Sequence, residues 1–284
     1  MHRETGKPHQ YLIDRFAQER FLYRLSSGSH SADFVLKGGL MLTAVTDRFY
    51  RATRDIDVRA FAANDPETIK LFVAEAIAHE VDDDGMTFDT SAMKVERIRT
   101  HGEERGLRVG MPANLGRARA HIQLDMGFDD PILLPTDAFE YPVLLPGYPA
   151  PVLRAYSNES IIAEKLEAIA NLDWQTTRYK DFDDVLELAN RKTFDVSTLW
   201  LAIKMTFDHR GTELGRLMPA IGEDRATTER EIQYRRYRNR EDVEGEATNL
   251  AAQLERLRTF VGPLVRYDID GIRRTWEHGQ WQTK

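Results

Sequence analysis

The chain contains no cysteine in its 284 residues, which excludes a disulfide framework, a thiolate nucleophile and any zinc–thiolate site. Its compartment is therefore reducing or indifferent to redox. Long apolar runs are missing as well. No stretch approaches the ~18 residues that suggest a membrane span, and the polar start Met1–Pro8 is unlike a secretory signal. The expectation is a cytoplasmic protein with no membrane partner. Positive charge is not in excess: the formal net charge of −7 argues against broad, non-specific duplex binding, which depends mostly on phosphate neutralisation. The eight histidines show no His-Glu-x-x-His or related metal spacing. Internal repeats and low-complexity segments are absent.

What is present is a globular composition, 42% hydrophobic and 30% charged, at a length that suits one large or two modest domains. The most informative stretch runs from Phe34-Val35-Leu36-Lys37-Gly38-Gly39 to Asp55-Ile56-Asp57-Val58. If the second segment is a strand, alternation points Asp55 and Asp57 to one face and Ile56 and Val58 to the other. Two such carboxylates, completed by substrate phosphates, are how Mg²⁺ is commonly held in nucleotide-handling sites. Gly38-Gly39 lets backbone approach a triphosphate with no Cβ in the way. Together these residues read as a nucleotidyltransferase.

Leu12, Phe16, Leu22 and Leu25 recur at helical intervals and Ser26-Ser27-Gly28 stops the run, so a first helix covers about 10–25. A strand at Phe34–Leu36 enters the glycine turn, and a helix follows over Leu40–Tyr50. Asn64-Asp65-Pro66-Glu67 supplies a cap and a first-turn proline to a helix burying Ile69, Phe72, Val73 and Ala76, closed by Asp82-Asp83-Asp84-Gly85. Period-two patterning governs about 86–128. In Ala120–Met126 it sets Ala120, Ile122, Leu124 and Met126 against His121, Gln123 and Asp125, so Asp125 is the candidate third carboxylate of a two-metal site, or else a partner for Arg119 or His121. Arginines cluster at Arg97, Arg99, Arg105 and Arg108, at Arg117 and Arg119, and over Arg235–Arg240; as charge runs they read as solvated faces.

A proline-rich connection, Pro131 to Pro151, leads to a pattern that is helical almost to the end, with a domain boundary near 150. Ser157-Asn158-Glu159 caps a helix bearing Ile162, Leu166 and Ile169, with Lys165 at its margin. In the next, Asp181 and Asp184 share one side. Helices follow at about 196–210, 224–238 and 241–260. Trp200, Met205 and Phe207 read as helical-domain core.

Leu36-Lys37-Gly38-Gly39, Arg51-x-Thr53-x-Asp55-Ile56-Asp57, Gln123-Leu124-Asp125-Met126-Gly127-Phe128-Asp129-Asp130-Pro131, Ala163-Glu164-Lys165-Leu166-Glu167-Ala168 and Lys180-Asp181-Phe182-Asp183-Asp184-Val185 together resemble the AbiEii/AbiGii nucleotidyltransferase family, toxins of bacterial toxin–antitoxin and phage-defence systems. The likeness runs in order over about 30–215. It implies an α/β polymerase-β-like nucleotidyltransferase core over 1–150, with its N-terminal helix, and an α-helical C-terminal domain over 151–284 that closes the cleft. It further implies Mg²⁺-dependent transfer of NMP from an NTP, in characterised relatives to the 3′ end of tRNA, which blocks translation, and a cognate antitoxin protein. Position by position, Asp55 and Asp57 match the metal-binding pair, Lys37, Gly38 and Gly39 the nucleotide-contacting turn, Lys165 the triphosphate-contacting lysine, and Asp181 the second-domain catalytic aspartate, with Asp184 the alternative nucleotide-side acid. Thr53 matches a hydroxyl that a kinase-like antitoxin phosphorylates in some relatives. Two departures stand out. Leu40 follows Gly39 where the superfamily usually has Ser or Thr, and the fifteen residues between Gly39 and Asp55 slightly exceed the usual spacing, which displaces the turn from the metal. The competing readings are nucleotidylation of a protein or small molecule, and a non-catalytic partner-binding module on the same fold.

Overall fold

Alternating sequence in the N-terminal half becomes a single mixed sheet. The structure is a computed structural model that describes residues 8–46, 53–100, 103–172, 179–241 and 249–283. Helix α1 (His9–Ser27) leads to strand β1 (Phe34–Lys37), helix α2 (Gly38–Thr46), strand β2 (Asp55–Ala60) and helix α3 (Pro66–Ala78). Strands β3 (Met86–Phe88), β4 (Lys94–Thr100), β5 (Glu103–Leu115), β6 (Ala118–Gly127), β7 (Thr136–Glu140) and β8 (Val152–Ala155) follow. Their order is β3-β5-β6-β2-β1-β8-β7, with β4 also paired to β5. β2 runs parallel to β6 and antiparallel to β1, and β1 runs parallel to β8.

Helix α3 begins as the sequence expects: Asp65 accepts the Thr68 N–H at 2.8 Å and Pro66 occupies the first turn. Its buried face holds Ile69, Val73 and Ala76. The Asp82–Gly85 run differs from a simple acidic stop. Asp84 is buried and takes a bidentate pair of bonds from Arg24 at 2.6 and 3.0 Å, while Asp83 accepts the Gly85 N–H. The first helix also buries more than its apolar stripe. Arg15, Gln18, Glu19, Arg20 and Arg24 are all buried, each against a partner far away in sequence, such as the Pro149 carbonyl, which Arg20 reaches at 2.7 Å.

The proline-rich connection carries two sheet strands. Pro135 and Pro151 stand immediately before β7 and β8, positions where a missing N–H costs no ladder bond, so the prolines bracket strands that they hide in the pattern. Close packing divides the chain into two compact units: Met1–Asp130 with Pro135–Tyr156, and Pro131–Leu134 with Ser157–Lys284. The changeover falls at Tyr156–Ser157.

The second unit comprises helices α4 (Asn158–Leu172), α5 (Tyr179–Arg191), α6 (Val196–Arg210), the short α7 (Leu217–Ala220), α8 (Thr228–Glu241) and α9 (Leu250–Asp270), with strands β9 (Phe194–Asp195), β10 (Arg274–Glu277) and β11 (Gln280–Thr283) forming a small sheet. Ser157 caps α4 by accepting the Ser160 N–H and donates to the Leu133 carbonyl at 2.7 Å. Gly211, at φ +65°, ends α6. A hairpin, turned by His278 and Gly279 at positive φ, lies beyond the last expected helix and packs Trp276 and Trp281 against Phe260 at 4.8 and 5.8 Å between ring centroids. Phe207 is core as expected, whereas Trp200 and Met205 are half-buried. Residues 47–50 of the expected second helix, Arg51, Arg178 and the stretch 242–248 fall outside the described residues. Among the described residues, no helix is long and apolar enough to cross a membrane.

Candidate active site

Strand β2 sorts its residues by face. Ile56, Val58 and Ala60 are buried, and Asp55, Asp57 and Arg59 between them are half-buried. The sheet then aligns further charge with the pair. Lys37 of β1 stands directly opposite Asp57, and on the other side Asp57 is in register with Asp125 of β6. Directly paired residues share a face, so Asp55, Asp57, Asp125 and Lys37 gather on one side of the sheet.

The glycine turn presses against this side. Gly38 has φ +68°, and a Cβ there would fall 2.1 Å from Asp57 Oδ2; at Gly39 a Cβ would fall 2.8 Å from Thr53 Oγ1. Only glycine permits both the left-handed backbone and the approach. The expected displacement of the turn from the carboxylates is therefore overturned. β1 and β2 are antiparallel neighbours, so register rather than the number of intervening residues sets the distance. Thr53 is further fixed by Gln18 of α1, whose Nε2 donates to the carbonyls of Thr53 and Arg54 at 3.0 and 2.9 Å. Sequence reading missed Gln18, because a helix that is buried on several sides gives its polar residues no periodic signal.

Lys37 donates to Asp130 Oδ2 at 2.5 Å, with its ammonium 5.5 Å from the centre of the Tyr156 ring. Asp125 pairs with neither Arg119 nor His121. Arg108 of β5, directly opposite it, donates from Nε and Nη2 to its two oxygens at 2.7 and 2.6 Å. That bond, with the charges of Asp125, Asp55 and Glu96, raises the Arg108 pKa against the opposing effect of burial. Among the described residues no group of three or more His, Cys, Asp or Glu side chains is placed to hold a metal ion. Asp55 and Asp57 nevertheless fit Mg²⁺ in its usual mode, in which one or two protein carboxylates supply hard oxygens and substrate phosphates supply others.

In the second unit, α4 and α5 bring together the other expected residues. Lys165 donates to Asp184 at 2.5 Å and to Asp181 at 3.3 Å, and all three side chains are largely buried, at 12%, 8% and 1% exposure. Asp184 is the closer partner. The neighbouring positions of α4 serve a different ion group: Arg210 bonds Glu167 at 2.8 Å and Glu164 at 2.9 Å, and Thr212 donates to Glu167 at 2.6 Å. Asp183, between the two aspartates in sequence, faces elsewhere and accepts from Gln253 at 2.5 Å and Tyr234 at 3.4 Å.

The model of the family described as nucleotidyl transferase AbiEii toxin, type IV toxin–antitoxin system, matches residues 20–264. Among solved structures, the chain is similar to the nucleotidyltransferase toxin MenT4 from Mycobacterium tuberculosis, at 21% identity and a TM-score of 0.52, over 92% of this chain and 94% of that one. A candidate nucleotidyltransferase from Helicobacter pylori aligns at 15% identity and a TM-score of 0.43, over 93% and 98% of the two chains. JHP933 from the same organism aligns at 15% and 0.42, over 90% and 98%. No curated protein matches.

Proposed function

The chain belongs to the AbiEii nucleotidyltransferase toxin family, and on that premise we propose that it transfers NMP from an NTP, with Mg²⁺, to the 3′ end of tRNA, so that translation stops. Nucleotidyltransferase activity and a cognate antitoxin follow from the family; the acceptor and the metal are our reading. The observation that carries it is Asp55 and Asp57 side by side on one sheet face, with the Gly38 backbone held against Asp57.

Asp55 and Asp57 would hold Mg²⁺, which when bound neutralises charge on the transferring phosphoryl group. Phosphoryl transfer asks mainly for positioning and charge stabilisation, and the remaining residues suit those tasks. Lys37, Gly38 and Gly39 offer a cation and approachable backbone for the triphosphate. Lys165, held by Asp181 and Asp184 within the second unit, is read as the triphosphate-contacting lysine that the family likeness implies. Asp125 adds negative charge beside Asp57. Action on tRNA places the protein in the cytoplasm. For Thr53, half-buried beside the turn, the reading is that a phosphate of about −1.5 to −2 charges would repel an incoming triphosphate from Asp55 and Asp57, a route for a kinase-type antitoxin. Peptide mass analysis after co-expression with the antitoxin checks it, and an inhibited toxin with unmodified Thr53 removes it.

The deciding experiment incubates the purified protein with labelled NTP and Mg²⁺ in the presence of total RNA or total protein. Label at tRNA 3′ ends supports the reading. Label on protein or on a small molecule moves the acceptor, and absence of any metal-dependent NTP turnover points to a binding module.

A further inference from the structure

Five adjacent strands contribute one residue each to a row across the sheet. Glu96 of β4 pairs with Arg108 of β5, Arg108 with Asp125 of β6, Asp125 with Asp57 of β2, and Asp57 with Lys37 of β1. Paired residues project to the same face, so the row reads negative, positive, negative, negative, positive, with Asp55 alongside Asp57. The one step between like charges is Asp125 to Asp57. Asp125 meets that step already committed to another partner, because both of its oxygens receive charge-assisted bonds from Arg108. A bidentate fork fixes the guanidinium's direction as well as its distance. It uses Nε and one proton of Nη2, which leaves the Nη1 protons and a second Nη2 proton as donors. The Arg108 side chain remains 40% exposed while Asp125 is 15% exposed, so the carboxylate is the base and the guanidinium the presented group.

We propose that Arg108 is a phosphate-contacting residue of the transfer site and that Asp125 is the positioning residue that aims it, instead of a third metal ligand; this rests on the nucleotidyltransferase reading above. An arginine fork matches phosphate geometry where a lysine offers only a point charge. As a metal ligand, Asp125 would share its oxygens and its single negative charge with the Arg108 fork, whereas holding Arg108 alone keeps both bonds undivided and sets a cation beside the Asp55 and Asp57 carboxylates. The phosphate has two sources, the triphosphate of the nucleotide and the backbone of the acceptor RNA.

The test uses the full chain and its R108A, R108K and D125N variants. Calorimetry with magnesium tripolyphosphate measures phosphate affinity, steady-state kinetics give KM for NTP and for total tRNA, and the Mg²⁺ requirement is measured at saturating NTP. R108A should weaken tripolyphosphate binding about 10- to 100-fold, the range of a lost charged hydrogen bond. R108K should recover only part of it. D125N should shift KM in the same direction by a smaller factor and leave the Mg²⁺ requirement where it was. A rise confined to KM for tRNA also supports the proposal and assigns the phosphate to the acceptor. Thermal melts verify folding, and R108K keeps the charge at a half-exposed position if R108A fails to fold. Parental phosphate affinity and parental KM values in both Arg108 variants overturn the proposal, as does a D125N enzyme with a raised Mg²⁺ requirement. A parent protein that neither binds nor transfers nucleotide overturns the nucleotidyltransferase reading itself, and this proposal with it.

Discussion

On β2 of the first unit, Asp55 and Asp57 stand half-buried with a like-charged neighbour, Asp125, in the next strand; on α4 of the second, Glu167 is fully buried and both of its oxygens are occupied, one by Arg210 and one by Thr212. The contrast separates two uses of acidic residues. A carboxylate taken out of water without compensation is costly, so buried acids in the second unit are matched by bonds from their own unit. Acids that stand half-buried beside one another keep contact with water, and their summed negative charge favours a cation. The first arrangement suits the ligand site proposed above, and the second ties α4 to the end of α6 and to Thr212 beyond it.

The largest effect that would break this comparison is in the first unit. Asp55→Ala should lower nucleotide transfer by about 100-fold or more, while the melting temperature stays close to the parent's, because the residue supplies charge to a site and little packing. A variant that unfolds instead would place Asp55 with the structural acids. Glu167→Ala should do the reverse. Removing one partner from a buried ion group costs about 3–5 kcal/mol, read as a fall in Tm of about 10 °C. Replacing Glu167 and Arg210 together by Leu and Met should cost less than either single loss, since the one acid that still loses the Arg210 bond, Glu164, is only half-buried.

How much of this difference was legible in the sequence depended on whether a residue's partner was near in the pattern. The Asp55–Val58 alternation declared its own faces, and Asp65 its cap, because a strand's period of two and an N-cap are local. The polar side of Asp125 was legible for the same reason; its partner was not, because Arg108 is seventeen residues away and reaches it through the β5–β6 register. The buried arginines of α1 were hidden by the same rule, their partners lying at Asp84 and Pro149. β7 and β8 were concealed by the prolines that bracket them. In the Lys180–Val185 segment, the i, i+3 spacing set Asp181 and Asp184 on one side, apart from Asp183, but it could not show that Lys165 of α4 meets them there.

A middle-sized effect sharpens the boundary between the two uses. Gly38→Ala introduces a Cβ 2.1 Å from Asp57 Oδ2 at φ +68°, so it should cost about 1–2 kcal/mol in backbone strain and turn Asp57 out of line. Denaturant melts should show the modest loss, and the Mg²⁺ dependence of transfer should weaken beyond what that loss explains. Parental values in both would mean that the close approach of turn to carboxylate is unnecessary.

The smallest effect concerns Asp183, an acid of the second unit whose compensation is incomplete. Burial raises its pKa above the ordinary 3.8, against a hydrogen bond from Tyr237 and the charge of Arg238, with Asp184 adding a further upward push and Tyr234 a downward one. A raised carboxyl pKa means that the folded state holds the proton more tightly than the unfolded one. Its contribution to stability is therefore complete below 3.8 and is lost as pH climbs through the folded value. Asp183→Asn keeps an oxygen for Gln253 and carries no charge to bury, so it should be spared that loss. Melts of parent and variant across pH 4 to 7 should show the variant gaining on the parent as pH rises, with the gain flattening once Asp183 is fully ionised. A constant offset would mean that Gln253, Tyr234, Tyr237 and Arg238 compensate Asp183 as fully as Arg210 and Thr212 compensate Glu167, which would extend the rule of matched buried charge to every one of these acids in the second unit.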